Sequence, residues 1–277
     1  MGEANVRRVL AAAILATTAL TRTAAFAAFD PSNPAASGYT LSFEDDFRGS
    51  TIDPRKWRTA YHWGANTTIN NELDYYIDIQ DPNHPGQGID PFHLSNGILT
   101  IQAAKNTVNG HPYTSGAMAT YNSFSQTYGY FEARMQMPCG QGLWPAFWLD
   151  SEDNQWPPEL DVVEMVGQNP TTLINTEHDN VNGKDVSKQC WPYPVVPDMT
   201  QGFHRYGLLW TSTDLTWYFD GQPVCHIPTQ PSQHKAMYMI VNLAVGSGGW
   251  TGTPTASTPF PQHLRVDYVR AYRAPGS

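Results

Sequence analysis

The sequence predicts an all-β fold, a sandwich of two antiparallel sheets in one domain. Short runs rich in β-branched and aromatic residues follow one another from Leu41 to Tyr272, and turn-forming residues separate them. No stretch has the amphipathic period of a three-turn helix. Aromatic residues make up 12% of the 277 residues, and 22 Gly and 22 Pro are spread along the chain, as in all-β proteins with many turns. Roughly ten to fourteen strands follow, a number that suits a closed sandwich better than an open sheet.

The chain begins with an expected signal peptide over residues 1–28. Arg7 and Arg8 precede an apolar run, and an A-x-A cleavage pattern ends at Ala27. The run is too short for a stable membrane anchor. We therefore expect an exported protein, secreted or periplasmic, with no membrane contact after export, whose residues 29–277 form a single domain.

Ten runs in this domain are predicted to be strands. Asn96-Gly97 and Asp220-Gly221 are turn signals, the second one between WYF and a further strand at PVCHI. Segments 78–93 and 180–202 are long, polar and rich in Pro, so we expect loops that flank a cleft. The predicted strands are LSFEDDF, NNELDYYIDI, ILTIQAA, GYFEARMQM, LWPAFWLD, ELDVVEMV, FHRYGLLWT, LTWYFDG, MYMIVNLAV and LRVDYVRAY.

Net charge and cysteines limit the partners and the compartment. The formal net charge is −9, without a cluster of Lys and Arg in the mature chain, so nucleic acid and anionic membranes are poor partners. Cys139, Cys190 and Cys225 predict one disulfide and one free thiol after export, with the pairing left open. Their wide spacing argues against a zinc site.

Three acids stand in the apolar run from Trp156 to Gly167. Glu159 and Asp161 share one face of a strand, because side chains alternate. Glu164 is five residues after Glu159, and a regular strand would turn it to the opposite face. A β-bulge at Val162–Val163 would bring it back to the face of the other two. From this reasoning, deletion of one residue at the bulge is expected to abolish activity and spare the fold. The alternative is a solvated edge strand with scattered charges.

Paired carboxylates are the usual apparatus for cleaving a glycosidic bond. One attacks the sugar or activates water, and the other protonates the leaving oxygen. Acids on one face of one strand would lie close together, as a retaining mechanism needs, and Asp161 between them would raise the pKa of the acid partner. A metal site that includes His178 is the competing hypothesis, without a two-histidine spacing to support it.

Aromatic and amide side chains favour the sugar-cleaving interpretation. Trp144 and Trp148 are four residues apart, so both point to the same side of a strand, and sugar rings stack on such indoles. One of them, Trp148, could equally be a core residue. The other candidates around the cleft are Trp156, Trp250, Asn70, Asn71, Glu72 and Asn242, of which each polar residue could instead cap a turn.

These residues resemble glycoside hydrolase family 16. ELDVVE fits the bulged E-x-D-x-x-E signature, and further matches run over nearly the whole mature chain. The resemblance implies a β-jelly roll with a sugar-binding cleft on its concave face, which hydrolyses internal β-glycosidic bonds with retention. It gives Glu159 as nucleophile, Asp161 as assisting acid and Glu164 as general acid/base. The other matching segments are NNELDYY, YTSG, YGYFEARMQMPCGQGLWPAFWL, INTEHDN, FHRYGLLWT, WYFDG, MYMIVNLAVG and VDYVRAY.

The resemblance also assigns binding positions. It implies that Trp144, Trp148 and His178 shape the sites next to the scissile bond and that Asn71 and Asn242 bind hydroxyl groups. Trp250 is a further candidate for sugar binding, because it lies in a Gly-rich segment. No cofactor is required for catalysis, and the expected partner is a polysaccharide bound by a monomer.

A structural Ca²⁺ on the convex side is a further implication of the resemblance. Asp267 matches its side-chain ligand, and Asp46 and Gly97 match its backbone-carbonyl ligands.

The substrate is predicted from departures within the family. Laminarinases and lichenases carry charged residues after the YTSG-like strand, whereas this chain has GAMATYNSFSQ, and Asp74 stands where laminarinases have Gln. SFSQTYGYFEAR and WPPELDVVEM resemble rhizobial endo-1,3-1,4-β-glycanases that trim succinoglycan-type exopolysaccharide. We therefore expect a secreted endo-β-glycanase acting on a β-1,3/1,4-linked glucan or exopolysaccharide. The alternatives are a laminarinase-type endo-β-1,3-glucanase, a transglycosylase and a non-catalytic carbohydrate-binding jelly roll.

Overall fold

A computed structural model describes residues 29–64, 68–83 and 88–276. The expected signal peptide lies outside these residues. Within them the fold is all-β, with sixteen strands and two short 3-10 helices, Pro34–Ser37 and Pro231–Gln233. The strands are β1 (Thr40–Asp45), β2 (Asp74–Tyr76), β3 (Phe92–Ser95), β4 (Ile98–Ala103), β5 (Tyr113–Ser115), β6 (Ala117–Ala119), β7 (Gly129–Gln136), β8 (Leu143–Ser151), β9 (Glu159–Glu164), β10 (Ile174–Val181), β11 (Lys184–Gln189), β12 (His204–Trp210), β13 (Asp214–Phe219), β14 (Gln222–Pro228), β15 (Met237–Val245) and β16 (Gln262–Arg273).

Two antiparallel sheets form the sandwich. The eight-stranded sheet has the order β14-β13-β12-β7-β16-β4-β3, with β1 also paired to β16. The six-stranded sheet has the order β11-β10-β9-β8-β15-β6. Apolar side chains of both sheets pack into one buried core between them, for example Phe131 of β7, Phe147 of β8 and Leu208 of β12. The predicted two-sheet sandwich is confirmed.

The strand prediction is incomplete: the described residues contain sixteen strands rather than ten to fourteen, and the predicted runs leave out β3, β5, β6, β10 and β11. Segment 180–202 was expected to be a loop, but it contains β11, which forms a hairpin with β10. The turn is Asn182-Gly183, both with positive φ, and Asn-Gly is the preferred pair for a two-residue hairpin. All of β11 is solvent-exposed, so its sequence has no apolar alternation to reveal it. The run NNELDYYIDI yields only the three residues of β2, which pair in parallel with β5.

The predicted turns and the cysteine count agree with the structure. Asn96-Gly97 and Asp220-Gly221 all have positive φ, as tight hairpin turns require. Cys190, just after β11, forms a disulfide with Cys225 of β14, with Cα atoms 5.9 Å apart. Cys139 is free and exposed. The disulfide therefore ties the edge of the six-stranded sheet to the edge of the other sheet.

No helix in the part of the chain that the structure describes is long and apolar enough to cross a bilayer.

Candidate active site

A cleft of about 960 Å³ lies on the outer face of the six-stranded sheet. The three acids of β9 are in its floor, between β8 and β10. Loop residues also line it, at 62–63, 69–71 and 246–251. The remaining lining residues come from β8, β10, β11 and the loop before β9: Trp144, Trp148, Asp150, Asn154, Trp156, Thr176, His178, Ser187 and Gln189.

The strand that carries the acids is bulged where the sequence predicted. Against β8, Asp161 pairs with Trp148, but Val163 already pairs with Phe147, so Val162 is the extra residue. The ladder with β10 shows the same one-residue shift. Val162 and Val163 both lie in the core, and the acids on either side both face the cleft. The bulge thus lets the six residues from Glu159 to Glu164 keep both glutamates on one face.

Two buried side chains from other strands satisfy the carbonyls that the bulge frees. Asn175 of β10 donates from Nδ2 to the Val162 carbonyl at 2.7 Å. Trp217 of β13, in the opposite sheet, donates from Nε1 to the Asp161 carbonyl at 2.7 Å. A buried carbonyl without a partner would be costly, so these contacts stabilise the irregular backbone.

The pairing of β9 with β8 argues against the expectation that deletion of one bulge residue abolishes activity. In a chain without Val162, each acid would stand two residues after the one before it, so Glu159, Asp161 and Glu164 would share one face of a regular strand. Glu164 would still pair with Ala146 of β8. We expect a Val162 deletion to fold and to keep hydrolytic activity within about 10²-fold of the wild type, the cost of a shift of about 1 Å.

The matched control is deletion of Leu160, which turns Asp161 toward the core and should abolish activity. Rates of reducing-end release from both deletion variants decide the question. An inactive, folded Val162 deletion would show that the bulge itself positions Glu164.

Indole groups hold both glutamates. Trp156 donates from Nε1 to Oε2 of Glu159 at 2.8 Å, and Trp144 donates from Nε1 to Oε1 of Glu164 at 2.9 Å. The Thr176 hydroxyl is 3.4 Å from Oε2 of Glu164. Such donors fix the orientation of the carboxylates relative to a bound sugar.

His178 lies beside Glu159 and Asp161. Its Nε2 is 3.7 Å from Oε1 of Glu159 and 3.6 Å from Oδ2 of Asp161. Its Nδ1 is 3.0 Å from Oδ1 of Asp185. The imidazole therefore lies between the pair of acids on one side and Asp185 of β11 on the other.

Burial raises the pKa of all three acids. For Glu159 the second cause is the charge of Asp161, and for Asp161 it is the charge of Glu164. The pKa of Glu164 is raised by burial and lowered by the hydrogen bond from Trp144. Three acids so close cannot all ionise at neutral pH, so the group retains a proton. At both glutamates this rise in pKa is opposed by His178 and by an indole hydrogen bond, from Trp156 at Glu159 and from Trp144 at Glu164.

Comparison of the sequence with known proteins identifies one family. The sequence profile described as "Glycosyl hydrolases family 16" matches residues 87–270. A beta-glucanase of Rhodothermus marinus is 33% identical over 85% of this chain and 85% of its own length. The chain belongs to glycosyl hydrolase family 16. It is a glycoside hydrolase, and its predicted jelly-roll fold is confirmed by the structural neighbours in this family.

Other relatives refine the similarity. The endo-1,3-1,4-beta-glycanase EglC of Rhizobium meliloti is 44% identical over 84% of this chain and 51% of its own length. ExsH of the same organism is 42% identical over 83% of this chain and 51% of its own length. The chain thus spans about half the length of these two relatives. Their similarity confirms the resemblance to rhizobial endo-1,3-1,4-β-glycanases.

Solved structures of the family have the same fold. The laminarinase catalytic domain of Thermotoga maritima superimposes with a TM-score of 0.72 at 30% identity, covering 85% of this chain and 98% of that one. SCLam, a non-specific endo-beta-1,3(4)-glucanase of the same family, gives a TM-score of 0.72 at 30% identity over 85% of this chain and 91% of that one.

The proposed sugar-binding residues of this family 16 hydrolase converge on the cleft. Trp144 and Trp250 meet edge to face, with ring centroids 4.9 Å apart, and Trp250 is 53% exposed. Trp148 is buried, but it belongs to the cleft floor rather than to the core between the sheets. Asn242 accepts from Nε1 of Trp148 at 2.9 Å and lines a small adjoining cavity of about 60 Å³, whose lining includes the three acids. Asn71 lies on the rim, in a left-handed backbone conformation.

Sequence reasoning missed two residues of the cleft, at positions 62 and 63. His62 and Trp63 line it, and Trp63 stacks on Tyr61 at a centroid distance of 4.5 Å. Nδ1 of His62 lies 2.7 Å from the Tyr238 hydroxyl, which donates to Asp150 at 2.8 Å. The cluster YHW next to a glycine was a usable signal, because aromatic residues beside flexible turns often form binding surfaces.

A metal ion could use one of two donor sets. Ligand atoms of Glu159, Asp161 and His178 lie within 4.8 Å of one another. The Trp156 indole donates to Glu159, and Nδ1 of His178 lies 3.0 Å from Oδ1 of Asp185, so part of this set already has partners. Enzymes of this family generally need no cofactor for catalysis.

The expected Ca²⁺ ligands are only partly arranged for a cation. A Cβ placed on Gly97 would lie 3.6 Å from the Asp46 carbonyl oxygen, so these two backbone positions are adjacent. The Asp267 carboxylate, however, forms an ion pair with Arg134. Arg134 would compete with Ca²⁺ for that carboxylate, and the calcium site stays a prediction.

Two further acids lie beneath the cleft. Glu72 and Asp74 are buried, and burial followed by the charge of Asp74 raises the pKa of Glu72 to about 9. Burial raises the pKa of Asp74 to about 7, although the Val245 amide donates to it at 2.6 Å. Folding therefore raises the affinity of both acids for a proton.

We expect Glu72→Gln to stabilise the protein at alkaline pH. The pKa of Glu72 rises on folding from 4.5 to about 9, so its contribution to stability is complete below pH 4.5 and is lost as pH rises toward 9. A glutamine mimics the protonated form and avoids this loss, for a gain on the order of 2 kcal/mol at pH 9.

Urea unfolding of Glu72→Gln at pH 5, 7 and 9 measures the effect, with Glu44→Gln on β1 as the control. A gain that is equal at the three pH values would contradict the expectation.

Proposed function

We propose that this family 16 hydrolase is an exported endo-β-glucanase that cleaves internal β-1,3/β-1,4-glucosidic bonds with retention. The observation that carries the proposal is the pair Glu159 and Glu164, which face one open cleft and are each fixed by a tryptophan N–H. Retaining glycosidases need two such carboxyl groups, one ionised and one protonated. The similarity to endo-1,3-1,4-beta-glycanases of Rhizobium meliloti supports the linkage type.

The first step forms a covalent intermediate. Ionised Glu159 attacks the anomeric carbon, and Glu164 gives its proton to the glycosidic oxygen as that bond breaks. Burial raises the pKa of Glu164, which favours the protonated form that this role needs. Trp144 stays bonded to the same carboxyl group and holds it toward the leaving oxygen.

The second step releases the sugar. Glu164, now ionised, takes a proton from water, and the hydroxyl oxygen attacks the anomeric carbon and displaces Glu159. Asp161 lies between the two glutamates in the strand and shares His178 with Glu159. Its carboxyl group supports the charge changes of its neighbours without bonding to the sugar.

Attack within a polymer rather than at a chain end is supported by the similarity to the endo-acting glycanases of Rhizobium meliloti. Tryptophans on the walls of the cleft provide faces for uncharged glucose rings, and this agrees with the net charge of −9, which gives no attraction to acidic partners. A monomer is sufficient for this site, since the residues of the cleft all come from one chain; light scattering would measure the mass in solution.

Reducing-end release from lichenan, laminarin, succinoglycan and agarose tests the substrate. We expect the highest rate on the mixed-linkage glucan or on succinoglycan, with a β-configured new reducing end in the first NMR spectra. Inversion of configuration would overturn the retaining mechanism, and no hydrolysis of any β-glucan would overturn the function. Product sizing with an added oligosaccharide acceptor separates hydrolysis from the transglycosylase alternative.

A further inference from the structure

An exposed aromatic pair stands just beyond β11, at the edge of the six-stranded sheet. Trp191 is 78% exposed, which is unusual for the largest apolar side chain. Its ring meets that of Tyr193 edge to face, with centroids 5.0 Å apart. Neither residue is part of the cleft lining or of the family signature identified from the sequence.

The segment that carries the pair is held at several points. The Cys190 amide donates to the Asn175 carbonyl at 3.1 Å, and the Leu173 amide donates to the Pro194 carbonyl at 3.1 Å. The disulfide between Cys190 and Cys225 fixes the start of the segment to the other sheet. The pair is therefore presented on a constrained backbone, which reduces the entropy lost when a ligand binds.

The pair is continuous with the cleft. Ser187 and Gln189 of β11 line the cleft, and the Tyr193 hydroxyl donates to Oε1 of Gln189 at 2.5 Å. The sheet order places β11 at one edge, and the cleft runs across the strands from the His62 loop over the acids of β9 to β11. A polymer that follows the cleft across the sheet leaves it beside this pair.

We propose that Trp191 and Tyr193 form a distal subsite for a β-linked glucan chain, outside the cleft at its β11 end. The proposal rests on the proposed function, because it takes the polymer in the cleft to be a glucan. The exposed indole offers an apolar face for the CH groups of a glucose ring, and Gln189 next to it offers amide groups for hydroxyls. The subsite would add affinity for long chains and none for oligosaccharides that end within the cleft.

The test compares Trp191→Ala and Trp191→Phe with the wild type. The control is Leu41→Ala, which removes a 49% exposed apolar side chain from β1 in the opposite sheet. Kinetics are measured on polymeric barley β-1,3-1,4-glucan and on a mixed-linkage tetrasaccharide. Binding of the same polymer is measured separately by affinity electrophoresis, with each substitution combined with Glu159→Ala so that nothing is cleaved.

For Trp191→Ala we expect KM on the polymer to rise about fivefold to tenfold and the mobility shift to shrink, with the tetrasaccharide kinetics unchanged. Trp191→Phe should recover part of the affinity. An unchanged polymer affinity, an equal loss on the tetrasaccharide, or the same loss in Leu41→Ala would overturn the subsite. Failure of the wild type to cleave any glucan would count against the proposed function, while the electrophoresis would still report on the subsite.

Discussion

Replacement of Glu159 by alanine is expected to lower kcat by about 10⁴-fold or more, because the covalent step loses its nucleophile. The chain should still fold, since Glu159 is at the cleft surface with its side chain 17% exposed rather than in the core between the sheets. The small space left by the substitution lies on the face of the sugar from which Glu159 attacks. Added azide can enter there and displace the leaving group directly.

The azide product identifies the role of Glu159. One displacement inverts the anomeric carbon, so Glu159→Ala with an activated β-glucoside, whose leaving group needs no protonation, should yield an α-glycosyl azide. Glu44→Ala on β1 serves as the control and should keep full activity. Retained glucanase activity in a folded Glu159→Ala protein, or a β-glycosyl azide, would show that another group is the nucleophile.

Replacement of Glu164 by alanine is expected to have a comparable effect on natural glucans but a different signature. Without the proton donor, polymers with poor leaving groups should lose about 10³-fold or more, whereas aryl glucosides with acidic phenols should still form the glycosyl-enzyme. Azide then attacks this intermediate in place of water, and two displacements give a β-glycosyl azide. The opposite configurations from the two variants would separate nucleophile from acid/base.

The pH profile of the same variant provides a second measurement. Activity requires protonated Glu164, so the wild-type rate should fall as pH rises through the raised pKa of this residue. In Glu164→Ala this alkaline decline should disappear for the aryl glucosides. A decline that persists unchanged would assign the alkaline limb to a different group of the coupled cluster.

Much of the fold could be predicted because the longer strands are continuous runs of apolar and β-forming residues, which the local sequence shows directly. Runs such as LWPAFWLD and MYMIVNLAV became β8 and β15, and Asp220-Gly221 became the turn between β13 and β14. The prediction failed at β11, where every residue is exposed and pairing with β10 alone forms the strand. Hydrogen bonding to a neighbour leaves no hydrophobic pattern in the sequence of an exposed edge strand.

The cleft was predictable where its residues lie on one strand. Trp144 and Trp148 were expected on one side of β8, and both line the cleft. His62 and Trp63 were missed, because their place in the cleft depends on a loop packing beside strands that lie about 80 or more residues away along the chain. The same limit applies to the disulfide, for which three cysteines allowed three pairings and the meeting of β11 with β14 selected one.

The sequence by itself determined that the three acids lie on one face of β9. Alternation along β9 and the one extra residue at Val162 decide which face each side chain takes, and both are properties of the local chain. Tertiary structure decided what surrounds those acids. Asn175 and Trp217 satisfy the bulge from a neighbouring strand and from the opposite sheet, and Trp144 and Trp156 orient the glutamates. Burial by those partners sets the pKa of each acid, and burial is a property of the packed sheets, not of any one segment.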